Sequence, residues 1–96
     1  MREIIPLTGG AANAHQTFFL QLGDNFTEFR VNYITLTKEW AMDVYVEGRP
    51  VMMGVMLKPD APISITYGDP IGRFVFVGKE PTLDNLGVDN YLGWYE

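Results

Sequence analysis

Two stretches of strict alternation limit what this chain can fold into more than any other feature of its sequence. Over residues 26–34 the odd positions read Thr27, Phe29, Val31 and Tyr33, and the even ones read Phe26, Glu28, Arg30 and Asn32. Over residues 40–46 the even positions are Trp40, Met42, Val44 and Val46, set against Ala41, Asp43 and Tyr45. A period of two places one apolar set on each strand toward a core and leaves the other face wet. Residues 51–57 carry apolar groups on both sides, with Val51, Met53, Val55 and Leu57 opposite Met52, Gly54 and Met56. That pattern suits a strand that is central or covered by a partner.

Turn chemistry separates these runs at hairpin spacing. Gly23-Asp24-Asn25 joins a strand at residues 16–22 to the one at 26–34, and Glu47-Gly48-Arg49-Pro50 joins 40–46 to 51–57. Glycine supplies the positive φ that such reversals require. Lys58-Pro59-Asp60-Ala61-Pro62 then precedes a short strand at 63–67, Gly68-Asp69-Pro70-Ile71-Gly72 precedes one at 73–78, and a last strand runs over 88–95. Short strands at this regular spacing predict an all-β fold, a small antiparallel β-barrel or sandwich of about seven to eight strands. The segment Lys79-Glu80-Pro81-Thr82-Leu83-Asp84-Asn85-Leu86-Gly87 breaks the period. It is expected to form one short helical turn near the C-terminus, capped by Thr82 and ended by Gly87, with Leu83 and Leu86 inward at i and i+3.

With 96 residues and no long linker, the whole chain, 1–96, is expected to form a single β domain around one core. A charged fraction of 20% is too low for a disordered chain when the hydrophobic fraction is 47%. No apolar run approaches the roughly 20 residues needed to cross a bilayer as a helix, so no membrane role is expected. The opening Met1-Arg2-Glu3-Ile4-Ile5-Pro6 lacks the apolar centre of a signal peptide, and synthesis in a cytoplasm is the expectation.

Composition also removes much chemistry. There are no cysteines, so thiolate catalysis, disulfides and cysteine-ligated zinc are excluded. His15 is the only histidine, which prevents a histidine metal cluster, and it is read as a loop residue without a catalytic role. The aspartates sit mostly beside Gly, Asn or Pro, where they serve turns instead of facing each other across a cleft. Gly9-Gly10 lacks the rest of a phosphate loop and is read as letting the N-terminal segment hug another surface. A net charge of −5 argues against gripping a phosphate backbone, even though the chain is rich in aromatics. The expectation is no enzyme activity, with no catalytic, cofactor-binding or metal residues and no direct nucleic-acid recognition.

The apolar surplus is the informative remainder. Phe18 and Phe19 are adjacent, as are Met52 and Met53, and adjacent strand residues point to opposite faces. Such groups serve either the core or an interface, and methionine suits both. The residues assigned to a partner interface are Phe19, Met52 and Met56, together with Asp84 and Asn85 on the outer side of the late turn. A second reading is a soluble barrel that binds a small ligand in a pocket lined by Trp40, Tyr45 and Met53.

Ile5-Pro6-Leu7, Asn13, Gln16-Thr17-Phe18, Leu22-Gly23-Asp24, Val44-Tyr45-Val46-Glu47-Gly48-Arg49-Pro50, Gly54-Val55-Met56-Leu57 and above all Pro81-Thr82-Leu83-Asp84-Asn85-Leu86-Gly87 resemble the bacteriophage baseplate plug family. The resemblance covers nearly the whole chain in order, although the region 58–72 is more compact than in that family. It implies a small β protein of contractile phage or prophage tails, placed where tail tube meets baseplate hub and helping to close the tube lumen. The implied partners are tube and hub proteins and further copies of the chain in a homo-oligomer. The implied location is the host cytoplasm during assembly and then the virion tail baseplate. The family has no catalytic motif to carry over.

Overall fold

The structure is a computed structural model that describes residues 2–59, 62–63 and 73–95. Eight strands are described, β1 (Arg2–Ile5), β2 (His15–Leu22), β3 (Asn25–Ile34), β4 (Glu39–Val46), β5 (Arg49–Met56), β6 (Pro62–Ile63), β7 (Arg73–Gly78) and β8 (Asn90–Tyr95). They make two antiparallel four-stranded sheets, one ordered β2-β3-β4-β5 and the other β1-β8-β7-β6. The first is a plain meander of hairpins. The second brings the two ends of the chain together, with Arg2 opposite Tyr95 and Ile5 opposite Leu92. Of the two architectures the alternation allowed, the sandwich is the one formed, because each sheet ladders only within itself among the described residues. The expected strand at 63–67 and turn at 68–72 lie outside the described residues, except for Ile63.

The alternation predicts the inner faces of β3 and β4 correctly. Thr27, Phe29 and Val31 are buried and Tyr33 is half-buried, while Trp40, Met42, Val44 and Val46 are all buried. Their partners from the second sheet are Phe74, Phe76, Leu92 and Trp94, all within 1% of full burial. Phe29 meets Phe74 edge to face across the layers, with ring centroids 6.0 Å apart, the offset that aromatic quadrupoles favour. Burying each such side chain is worth roughly 1.5–3 kcal/mol, so this mixed aromatic and aliphatic layer holds the sheets together.

β5 departs from a simple alternation. The register runs Met42 opposite Val55, Val44 opposite Met52 and Tyr45 opposite Pro50, so it shifts twice along the pair. Each shift inserts one residue into β5 that has no counterpart on β4, which is a β-bulge. Gly54 takes φ +63°, and its N–H donates to Asp43 Oδ1 at 2.6 Å. As a result Val51 and Met52 are both buried although adjacent, and Met53 is 40% exposed. The sequence expectation for Met53 and Met52 is thereby reversed.

The late segment also differs from the expected helical turn. Residues 83–88 form successive turns, and the one 3₁₀ turn among the described residues is Ala11–Asn13. The Thr82 hydroxyl accepts the Asn85 N–H at 3.2 Å, as a cap would, and Gly87 takes φ +80°. Val88 N–H and Asp89 N–H both return to the Asn85 carbonyl. The left-handed residue arrives before a second helical bond can repeat, so the segment closes as a compact loop. Leu86 is buried and Leu83 packs half-buried against the core, which is the inward pairing expected of them.

Candidate interaction surface

The outer face of the first sheet is fixed by the same parity that builds the core. With Phe18 turned inward to stack on Phe29 at 5.1 Å, its neighbour Phe19 must point outward. Phe26 is also on the outer face, diagonal to Phe19 across the β2–β3 pair, since Phe19 lies opposite Glu28. The two rings stack nearly parallel, with centroids 5.4 Å apart and planes 7° off, yet they remain 56% and 53% exposed. A stacked aromatic pair left this open to water on a sheet face is what a protein contact would cover.

Beside this pair lies a charged group held in a fixed posture. Arg30 Nε donates to Glu28 Oε2 at 2.6 Å, and the guanidinium sits 4.4 Å from the centre of the Tyr45 ring. The Glu28 hydrogen bond raises the Arg30 pKa further above its ordinary value. The guanidinium is therefore a permanent, oriented cation partly spent within the sheet. His15 begins β2 instead of lying in a loop, and its Nδ1 is 2.9 Å from Asn32 Oδ1 on the same exposed face. At the far edge of the molecule Lys58 pairs with Glu39, which lowers the Glu39 pKa and raises that of Lys58 through their hydrogen bond.

A second surface is the loop at 79–90, tied down from both sides. Trp40 Nε1 donates to the Thr82 carbonyl at 2.9 Å, and Gly10 N–H donates to the Leu83 carbonyl at 2.6 Å. Gly9 lies so close that an added Cβ would be 2.9 Å from the Asp84 carbonyl oxygen. This is the close approach expected of Gly9-Gly10, and it brings the N-terminal segment onto the late loop. Asn85 is the centre of the loop's polar network. Its Oδ1 accepts the Thr82 N–H at 2.6 Å, and its Nδ2 donates to the Glu80 carbonyl at 3.2 Å. Asn90, 6% exposed, accepts the Gly87 N–H and donates to the Lys79 carbonyl.

The five residues assigned to an interface therefore fare differently. Phe19 on β2 and Asp84 in the late loop are exposed, and Met56 at the end of β5 is half-buried. Met52 is fully buried in the sandwich and is a core residue, because the bulge turns it inward. Asn85 is half-buried and its side chain is engaged within its own loop. Sequence reasoning passed over Phe26, although its place on the wet face of an alternating strand was the signal for it. Met53 was concealed by the bulge, to which Gly54 inside a strand is the only pointer. The pocket imagined for Trp40, Tyr45 and Met53 does not form, since Trp40 faces the core while Tyr45 and Met53 are on the opposite side of the sheet. Among the described residues no three His, Asp or Glu side chains gather as a metal site would require.

The chain is thus a small antiparallel sandwich that leaves a stacked aromatic pair open on one sheet face. The family model described as Cyanophage baseplate Pam3 plug gp18 matches residues 1–96, and the chain belongs to that family. Its role is accordingly that of a structural protein of a phage tail baseplate. No match is found among curated proteins.

Proposed function

We propose that this protein occludes the tail tube lumen where the tube meets the baseplate hub, and that it does so by bulk and not by chemistry. The observation that carries the reading is the match of the whole chain to a baseplate plug family. The open Phe19–Phe26 pair supports it by supplying a stacked apolar contact on the outer face of the first sheet. Phe19, Met56 and Asp84 remain proposed partner contacts. Asn85 acts by holding the shape of the loop that presents Asp84.

The partners in this reading are the tube and hub proteins and neighbouring copies of the chain. The chain is made in the host cytoplasm and carried into the virion. A plug that must leave when the tail is used is best held by many modest contacts, and with no cysteine in the sequence none of them is a disulfide from this chain. Such a module needs no catalytic group, and none is assigned.

Cryo-electron microscopy of intact tails tests the placement directly. Density for the sandwich across the lumen at the tube-hub junction is expected, and an open lumen with the chain elsewhere in the baseplate would reject it. Tails assembled with Phe19→Ala and Phe26→Ala together are expected to carry less of the protein, while the isolated double variant keeps its fold because both rings are largely exposed.

A further inference from the structure

We infer that the free edge of β2 is a docking site for the same strand of a second copy, which joins two sandwiches through one continuous sheet. This deepens the homo-oligomeric part of the reading above by naming the contact.

The backbone polarity of β2 follows from its pairing. Tyr33 N–H donates to the Ala14 carbonyl at 2.8 Å, and the same register continues with Gln16 opposite Val31 and Phe18 opposite Phe29. In an antiparallel ladder, pairs alternate between those that exchange hydrogen bonds and those that do not. The even residues of β2 therefore bond to β3, and Thr17, Phe19 and Gln21 turn their N–H and C=O groups away from it. β2 is the outer strand of its sheet, and these groups have no partner among the described residues. Toward its start the edge is occupied, because the Gln16 side chain both accepts from Thr8 N–H and donates to the Thr8 carbonyl. The open stretch runs from Thr17 to Gln21, and its midpoint is Phe19.

Natural sheets guard such edges with lysine, proline, bulges or shortness. The opposite edge of this sheet has all but the lysine and the shortness, with Pro50 and two register shifts in β5. β2, eight residues reading HQTFFLQL, carries no proline, glycine, lysine or other formal charge.

The lack of charge also selects the occupant. In a chain of net charge −5, two copies repel at long range, and the contact between them is best placed where no charges are brought together. β2 meets that condition. A two-fold axis at Phe19 sets Phe19 against its own copy and Thr17 against Gln21 of that copy. Every residue on the outer side of the joint is then uncharged. Because Phe19 already stacks on Phe26, the joint builds a row of four rings across the axis and covers the most exposed aromatic groups of the sheet.

Sedimentation of the isolated chain over a wide concentration range tests this without any tail protein, so its failure would leave the baseplate reading untouched. Wild type is expected to show a monomer–dimer equilibrium, and Phe19→Lys to weaken the dimer by about tenfold or more while keeping the strand circular dichroism of wild type. A second readout stands if that variant fails to fold. The chain has no cysteine, so Phe19→Cys supplies a single thiol, and residues opposed in a bonded antiparallel pair lie about 5.5 Å apart at Cα, within disulfide reach. Mild oxidation is expected to cross-link Phe19→Cys faster than Tyr45→Cys, which shares the face but is on β4. A wild-type chain that stays monomeric at every concentration overturns the proposal, as does equal cross-linking of the two cysteine variants.

Discussion

The indole nitrogen of Trp40, on the first sheet, donates to the backbone carbonyl of Thr82 at 2.9 Å, across 42 residues of sequence. The ring is fully buried, and its one polar atom reaches the loop that closes that end of the sandwich. Trp40→Phe keeps most of the apolar volume and leaves the carbonyl without this donor. The expected cost is about 1–3 kcal/mol, the penalty for an unsatisfied polar group at a part-buried site. Equilibrium unfolding in urea measures it, and an unchanged midpoint with an unchanged slope would mean that the bond contributes no net stability.

Leu86 and Leu83 occupy the same loop with unequal burial, at 1% exposed for Leu86 and half-buried for Leu83. Leu86→Ala removes methyl groups from the packed core and is expected to cost about 2–5 kcal/mol. Leu83→Ala is expected to cost clearly less, since part of its surface already meets water. Melting of the two variants checks the order, and equal losses would place Leu83 deeper than its exposure indicates.

What the sequence shows and conceals can be traced to these elements. Alternation at 26–34 and 40–46 identified the inward residues because β3 and β4 pair in one uninterrupted register. The same reasoning failed on β5 because two bulges reset the parity, and a period of two contains no term for an inserted residue. Gly54 hinted at the break, but the Asp43 side chain that stabilises it is visible only once β4 and β5 are paired. The choice of sandwich over barrel depended on β1 returning to β8, a contact between the two ends of the chain that leaves no local pattern. At the candidate surface, Phe19 was legible from its neighbour Phe18. The loop bonds of Asn85 were not legible, because an asparagine that organises a loop and one that faces a partner look the same in sequence.

Asn85 supplies the next measurement. Its side chain accepts the Thr82 N–H and donates to the Glu80 carbonyl, so Asn85→Ala should destabilise the isolated chain by about 1–3 kcal/mol. Asp84 is exposed, and Asp84→Ala is expected to stay within about 0.5 kcal/mol of wild type, as most surface changes do. The two neighbours are thus separable by thermal melting alone. Any effect of Asp84→Ala is expected only in incorporation into tails.

The pairing of Lys58 with Glu39 predicts a modest pH response of known sign. Glu39 is held below its ordinary value of 4.5 by its hydrogen bond to Lys58, so its contribution is present above that value and is lost as pH falls through the lowered one. Lys58 is held above its ordinary value of 10.5 by its hydrogen bond to Glu39, so its contribution is present below that value and is lost as pH rises through the raised one. Between these limits the pair is formed. Both groups face solvent, so screening keeps the amplitude small. Lys58→Met is expected to melt slightly below wild type at neutral pH in low salt, and the difference is expected to shrink in high salt.

Gly87 and Gly48 separate two reasons for a glycine. Both take left-handed backbone, at φ +80° and φ +81°, so an alanine at either meets the same conformational penalty of roughly 1–2 kcal/mol. Their surroundings differ. An added Cβ at Gly48, in the turn between β4 and β5, has no neighbour within 4 Å, whereas one at Gly87 would run into the Leu7 carbonyl oxygen. That carbonyl belongs to the backbone of the N-terminal segment, which cannot move aside as a flexible side chain would. Gly48→Ala is therefore expected to lose only the conformational term. Gly87→Ala is expected to lose that term together with the seating of the late loop against the segment around Leu7, and so to be clearly the less stable of the two. Urea unfolding of both variants gives the difference, and hydrogen exchange locates it, with faster exchange expected at the Gly10 N–H that donates to Leu83 in the Gly87 variant alone. Equal stability of the two variants would mean that the contact between Leu7 and Gly87 relaxes at no cost.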